Sequence, residues 1–139
     1  MTHRELAARL CLASGARVLL IDYRLAPEHP FPAAVEDAAA AYQWLLAQGI
    51  RPEQIVIGGY SSGGGLAMAT MLWLREQAIA LPAVGVLLSP WLDLALTGLS
   101  IDSRAEIDPL VSREGLQLAA SYYLGATDPK TPLASPIYA

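Results

Sequence analysis

Apolar positions along the chain alternate between helical spacing and short unbroken runs. In residues 3–14, Leu6, Leu10 and Ala13 share one helical face, and Gly15 supplies a C-terminal stop. Ahead of them, Thr2-His3-Arg4-Glu5 has capping-box spacing: the Thr2 hydroxyl reaches the Glu5 amide and the Glu5 carboxylate reaches back. A helix from His3 to Ser14 is expected. Val18-Leu19-Leu20-Ile21 is a continuous apolar run that suits a strand buried on both faces, as parallel sheets require. From Leu25 to Pro32, three prolines in six residues exclude helix and ladder pairing, and Pro32 can occupy the first position of the helix that follows. In that helix Val35, Ala38, Ala39, Tyr42, Leu45 and Leu46 form one face, and Gly49 ends it. A turn at Arg51-Pro52-Glu53 leads into a second buried run, Ile55-Val56-Ile57. A glycine-rich bend, Gly58 to Gly65, then opens a third helix reaching about Gln77, and Val84 to Leu88 reads as a third buried strand.

Helices and strands in strict alternation predict right-handed crossovers on a parallel sheet with helices on both faces. The pattern changes after Ser89-Pro90. Residues 91–112 carry no clear period, Ser112 reads as the N-cap of a helix to about Leu124 stopped by Gly125, and residues 128–139, with Pro129, Pro132 and Pro136, read as loop.

Composition narrows the function classes. The 139 residues are 54% hydrophobic and 16% charged, against about 25% charged in ordinary soluble domains, which excludes disorder. Thirteen acidic against nine basic residues give a net charge of -4, and the basic residues are scattered, so no phosphate-binding stripe exists and no nucleic-acid partner is expected. The most apolar stretch, Ala78 to Leu96, is interrupted by Pro82, Gly85, Pro90 and Asp93, which argues against a membrane span. No targeting segment is expected, because Thr2 to Glu5 leads into a helical pattern rather than an apolar core. The single Cys11 cannot form an internal disulfide, so a cytoplasmic location is expected.

Gly59-Tyr60-Ser61-Ser62-Gly63 fits G-x-S-x-G where a strand turns directly into a helix. Side chains at Gly59 and Gly63 are expected to collide with neighbouring backbone in so sharp a turn. The turn would hold Ser61 strained at its tip and aim the Ser62 amide at charge developing on a bound carbonyl oxygen. A phosphate-binding loop needs Lys-Ser or Lys-Thr after its last glycine, but Gly64 is followed by Gly65-Leu66. The dinucleotide fingerprint fails too, with Tyr60 or Ser61 where its second glycine belongs.

The stretch Asp22-Tyr23-Arg24-Leu25-Ala26-Pro27-Glu28-His29-Pro30-Phe31-Pro32-Ala33-Ala34, then Glu36-Asp37, the elbow, and Leu88-Ser89-Pro90-Trp91-Leu92-Asp93-Leu94 together resemble the hormone-sensitive-lipase family of α/β-hydrolases, the bacterial family IV carboxylesterases. The resemblance implies a partial α/β-hydrolase domain over residues 1–139, truncated at both ends, with residues 92–125 belonging to a cap. It implies a carboxylic-ester hydrolase in which Ser61 is the acyl-forming nucleophile, the Ser62 amide an oxyanion donor, and a small ester the substrate. Tyr60 and Ser62 depart from the family's usual Gly-Asp-Ser-Ala-Gly. Its His-Gly-Gly-Gly oxyanion loop should precede the first helix, and its triad Asp and His should follow later strands.

The order of the triad, serine, then acid, then histidine, leads to the same expectation: no histidine occurs among the 78 residues after Ser61. His3 is expected on the solvent side of the first helical turn and His29 in loop packing. Asp93 and Asp108, without a histidine to orient, read as structural. Trp44 and Trp73 fall inside predicted helices and are expected to pack in the core or at an interface, whereas Trp91 stands where parallel strands end and suits either packing or a pocket. No Cys, His or acidic cluster has metal-ligand spacing, and neither metal nor cofactor is expected. On this reading the chain alone is inactive or feeble. Two alternatives are a non-catalytic binding or interaction module on the same fold and a site completed by a partner chain. Unpaired sheet edges are expected to favour self-association.

Overall fold

A computed structural model describes residues 3–139, so the capping role of Thr2 lies outside the described residues. Helix α1 runs Arg4–Ser14 and ends at Gly15, whose left-handed φ of 67° lets its amide bond the Cys11 carbonyl at 3.0 Å. Helix α2 runs Ala33–Ala47, with Pro32 at its N-cap rather than at its first position. It buries Val35, Ala39 and Tyr42, on the expected face, together with Ala33 and Ala34. A 3-10 turn at Pro52–Gln54 leads into β1, Val56–Tyr60. Helix α3, Ser62–Glu76, connects to β2, Val84–Leu88. A single turn, α4, covers Ser100–Ser103, and α5 covers Arg113–Leu124. The expected bounds of α5 hold, because the Ser112 hydroxyl accepts from the Gly115 amide at 3.1 Å and Gly125 takes a φ of 57°.

Strands β1 and β2 are parallel, with Val56 opposite Val84 and Tyr60 opposite Leu88. Strand β1 runs on through Gly58 and Gly59, which were expected to bend; hydrogen bonds to β2 keep them extended. Side chains alternate across a strand, so Ile57, Gly59, Gly85 and Leu87 form one face and Val56, Gly58, Tyr60, Val84, Val86 and Leu88 the other. Helix α3 packs against both strands, and α2 packs on α3. A core forms around buried Tyr42, Ile55 and Leu74, joined by Leu45, Leu46, Ile57 and Trp73. The Tyr42 hydroxyl donates to the Ala80 carbonyl at 2.7 Å, which ties α2 to the segment entering β2. A second core unites Leu94, Ala120, Leu124 and Ala134 with Phe31, Trp91 and Tyr123.

Three expectations about burial need correction. Val18, Leu19 and Leu20 are 43%, 50% and 48% exposed, and Val18 to Ile21 form no strand: no described segment lies beside them to complete a ladder. The strands that do form are not buried on both faces either. Their outer face leaves every one of its residues exposed, and α1 buries none of its own. Contact between helix entry and that face comes from the His3 ring, whose centroid lies 6.0 Å from that of Tyr60. Finally, Trp44 stands 53% exposed on α2 and so lies outside the core of the chain, whereas Trp73 packs as expected.

Candidate active site

Ser61 joins β1 to α3 with φ 55° and ψ -120°, a backbone conformation that residues with a Cβ rarely adopt. Neighbouring backbone over-determines it. The Ser61 amide donates to the Leu88 carbonyl at 2.9 Å, and the Ser61 carbonyl accepts from the amides of Gly64, Gly65 and Trp91 at 3.0, 3.2 and 3.0 Å. Ser62 is the first residue of α3, so its amide is among the first-turn donors that have no acceptor within the helix. Both Ser61 and Ser62 are exposed. The serine and the donor thus sit at one tip, at the positive end of the helix.

The glycines around the tip divide into two kinds. A Cβ at Gly59 would run into the Gly63 carbonyl, one at Gly64 would come within 2.9 Å of the Pro90 ring, and one at Gly65 would strike the Trp91 carbonyl. At Gly63 a Cβ would meet nothing within 4 Å. The expectation for Gly63 is therefore corrected: its carbonyl is the obstacle to a side chain at Gly59, while its own side-chain direction is open.

Beside the tip lies a cavity of about 240 Å³ with a mainly apolar wall. Ser62, Gly65, Leu66 and Ala69 line it along one stripe of α3, Tyr23 to Ala26 close one side, and Trp91, Leu94, Ala119 and Tyr123 close the other. Trp91 thus serves both of the uses weighed for it, lining this cavity and packing in the second core. Burial pushes the Tyr123 hydroxyl up to about 12, so it stays protonated across the working pH range.

Carboxylates hold the segments around the cavity. Arg24 reaches Asp37 through Nε, at 3.0 Å to each carboxylate oxygen, and through Nη2 at 2.8 Å, while its backbone amide donates to Asp37 Oδ2 at 2.8 Å. Its Nη2 also reaches Glu36 at 2.9 Å and the Ala33 carbonyl at 3.3 Å. These bonds hold the Asp37 carboxyl below its ordinary range. Asp93 accepts from the Thr97 hydroxyl and amide at 2.7 Å each, from the Ala95 amide at 3.0 Å and from the Tyr138 hydroxyl at 3.2 Å. Burial pushes its carboxyl up, but these donors outweigh it and hold the group low. Asp108 accepts from the Leu110 and Val111 amides at 2.9 and 3.0 Å. Asp93 and Asp108 act as loop staples, consistent with their expected structural role.

The structure brings Gly59, Ser61, Ser62 and Gly63 into one turn. The backbone bracket formed by Leu88 and Trp91 and the Arg24 clamp were not foreseen, although the Arg24 and Glu36-Asp37 spacing carried the signal for the latter. Among the described residues, no group of three or more His, Cys, Asp or Glu side chains could hold a metal ion. Nor is any helix among them long and apolar enough to cross a membrane.

A sequence profile of the alpha/beta hydrolase fold matches residues 1–139. The chain belongs to the α/β-hydrolase fold family. It is 47% identical over 137 residues to an acetyl-hydrolase of Streptomyces hygroscopicus, a match covering 99% of this chain and 46% of that one. An esterase of Acinetobacter venetianus is 42% identical over 140 residues, with the same coverage of 99% and 46%. Among solved structures, an esterase from the bacterial hormone-sensitive lipase (HSL) family superposes with a TM-score of 0.97 at 52% identity, covering 99% of this chain and 46% of that one. This α/β-hydrolase chain therefore spans somewhat under half the length of these relatives.

Proposed function

We propose that this chain carries the nucleophile of a carboxylic-ester hydrolase. In this reading the Ser61 hydroxyl oxygen attacks the carbonyl carbon of a small ester, the alcohol leaves with a proton, and water releases the acid from the acyl-serine. The Ser62 amide donates to the oxyanion. The observation that carries the reading is the left-handed backbone of the exposed Ser61 at the junction of β1 and α3, next to Ser62, which lines an apolar cavity. The esterases and acetyl-hydrolase it resembles support the same chemistry. Residues 92–125, which include α5, supply part of a cap over the acyl pocket, and the lone Cys11 favours a cytoplasmic location.

General-base and oxyanion donors each contribute on the order of 10² to 10⁴ in rate, and no histidine follows Ser61. Hydrolysis by the isolated chain is therefore expected to be feeble or absent. The test is p-nitrophenyl ester hydrolysis across acyl lengths by the chain alone and by the chain joined to the part of the Acinetobacter esterase that it does not match. Turnover is expected in the joined protein and should fall at least 10³-fold with Ser61→Ala. Robust turnover by the chain alone, abolished by Ser61→Ala, would demand a base not assigned here. A folded joined protein without turnover would favour a non-catalytic binding module instead.

A further inference from the structure

Ser89 is a second residue with left-handed backbone at the same end of the sheet, with φ 44°. It follows Leu88, the register partner of Tyr60, so it stands across the ladder from Ser61. Its hydroxyl is exposed and takes no part in the elbow, but its conformation decides what its neighbours can do. Leu88 directs its carbonyl to the Ser61 amide, and Trp91, only three residues later, directs its amide back to the Ser61 carbonyl. A continuing parallel strand would offer Ser61 the Leu88 carbonyl and the amide of residue 90, but Pro90 has no N–H, and the donor is instead Trp91, one residue beyond that register. The left-handed step at Ser89 folds the chain back so that both reach Ser61. Pro90 then rests on Gly64, and the Trp91 carbonyl lies against Gly65, where side chains have no room.

We propose that Ser89 is a positioning residue. Its left-handed backbone sets the Leu88–Trp91 bracket that grips both peptide groups of Ser61 and keeps the nucleophile strained and projecting. The proposal rests on the assignment of Ser61 as nucleophile. It is a claim about backbone rather than about the hydroxyl, and this makes it separable by substitution. Glycine takes positive φ freely, alanine tolerates it about as serine does, and a β-branched residue resists it most.

The test uses the joined protein described above, with Ser89→Gly, Ser89→Ala and Ser89→Val assayed on p-nitrophenyl acetate. Hydrogen exchange at the Ser61 and Trp91 amides is followed in parallel. The Gly and Ala variants are expected to keep kcat within about twofold of the parent, whereas Val lowers kcat at least tenfold with KM little changed and both amides less protected. Gly65→Ala, which presses on the Trp91 carbonyl from the helix side, should reproduce the kcat loss if Ser89→Val fails to fold. Three outcomes overturn the proposal: a Val variant with parental kcat and protection, an Ala variant as impaired as Val, or a Gly variant as impaired as Val. If Ser61→Ala leaves turnover intact, the nucleophile assignment fails instead, and the exchange data still report on the bracket.

Discussion

Arg24 shows how one ion pair can set the course of a proline-rich loop in a weakly charged chain. Its fork fixes Asp37 and Glu36 on α2 and so holds Tyr23 to Ala26 as a wall of the cavity. Lysine has no such fork, so Arg24→Lys should lower the melting temperature of the joined protein nearly as much as Arg24→Ala. The pH dependence follows from Asp37, whose carboxyl is held low chiefly by the Arg24 side chain. Its contribution is complete above about pH 4, the range of an unfolded aspartate, and is lost as pH falls through the lower folded value. The melting-temperature gap between the parent and Asp37→Asn should therefore be full at neutral pH and close in acid. A gap that persists unchanged at about pH 2.5 would mean the clamp contributes through packing rather than charge. Tyr42 is a simpler case: it is 2% exposed and its hydroxyl bonds the Ala80 carbonyl. Tyr42→Phe should cost about 1 kcal/mol in urea unfolding.

The turn from β1 into α3 was legible in the sequence because G-x-S-x-G carries its own geometric demand, and α5 was legible because Ser112 and Gly125 cap it locally. Elements that depend on neighbours were read less well. The apolar run Val18 to Ile21 has strand composition, but a strand exists through its ladder, and none is available among the described residues. Gly58 and Gly59 erred in the other direction: propensity reads them as bend, and pairing with β2 makes them strand. The bracket at Leu88 and Trp91 was invisible because it consists of backbone groups that any residue supplies. A contrast between two glycines tests the reading of the elbow. Gly63→Ala should be tolerated in the joined protein, with up to about 1 kcal/mol gained from helix propensity, since its side chain would enter open space. Gly59→Ala should abolish turnover, because its Cβ meets the Gly63 carbonyl.

The sheet itself determines how the isolated chain should behave in solution. Its outer face presents Val56 at 59%, Tyr60 at 51%, Val84 at 51%, Val86 at 43% and Leu88 at 45% exposure, without a charged residue among them. Parallel sheets occur almost only with both faces covered. Strands β1 and β2, moreover, each have one edge without a partner among the described residues, and unpaired edges template pairing with other chains. Face and edges act together, because a second copy adding a strand would also cover apolar area. The chain alone is therefore expected to associate with rising concentration in sedimentation velocity, or to populate a molten state that binds an apolar dye. Placing lysines on the face, as in the double variant Val84→Lys and Val86→Lys, should shift the distribution toward smaller species. The same substitutions leave the α3 side of the sheet untouched, so helical content should be retained. A monodisperse monomer of the unmodified chain with one cooperative unfolding transition would show that this face needs no cover, and would overturn the argument.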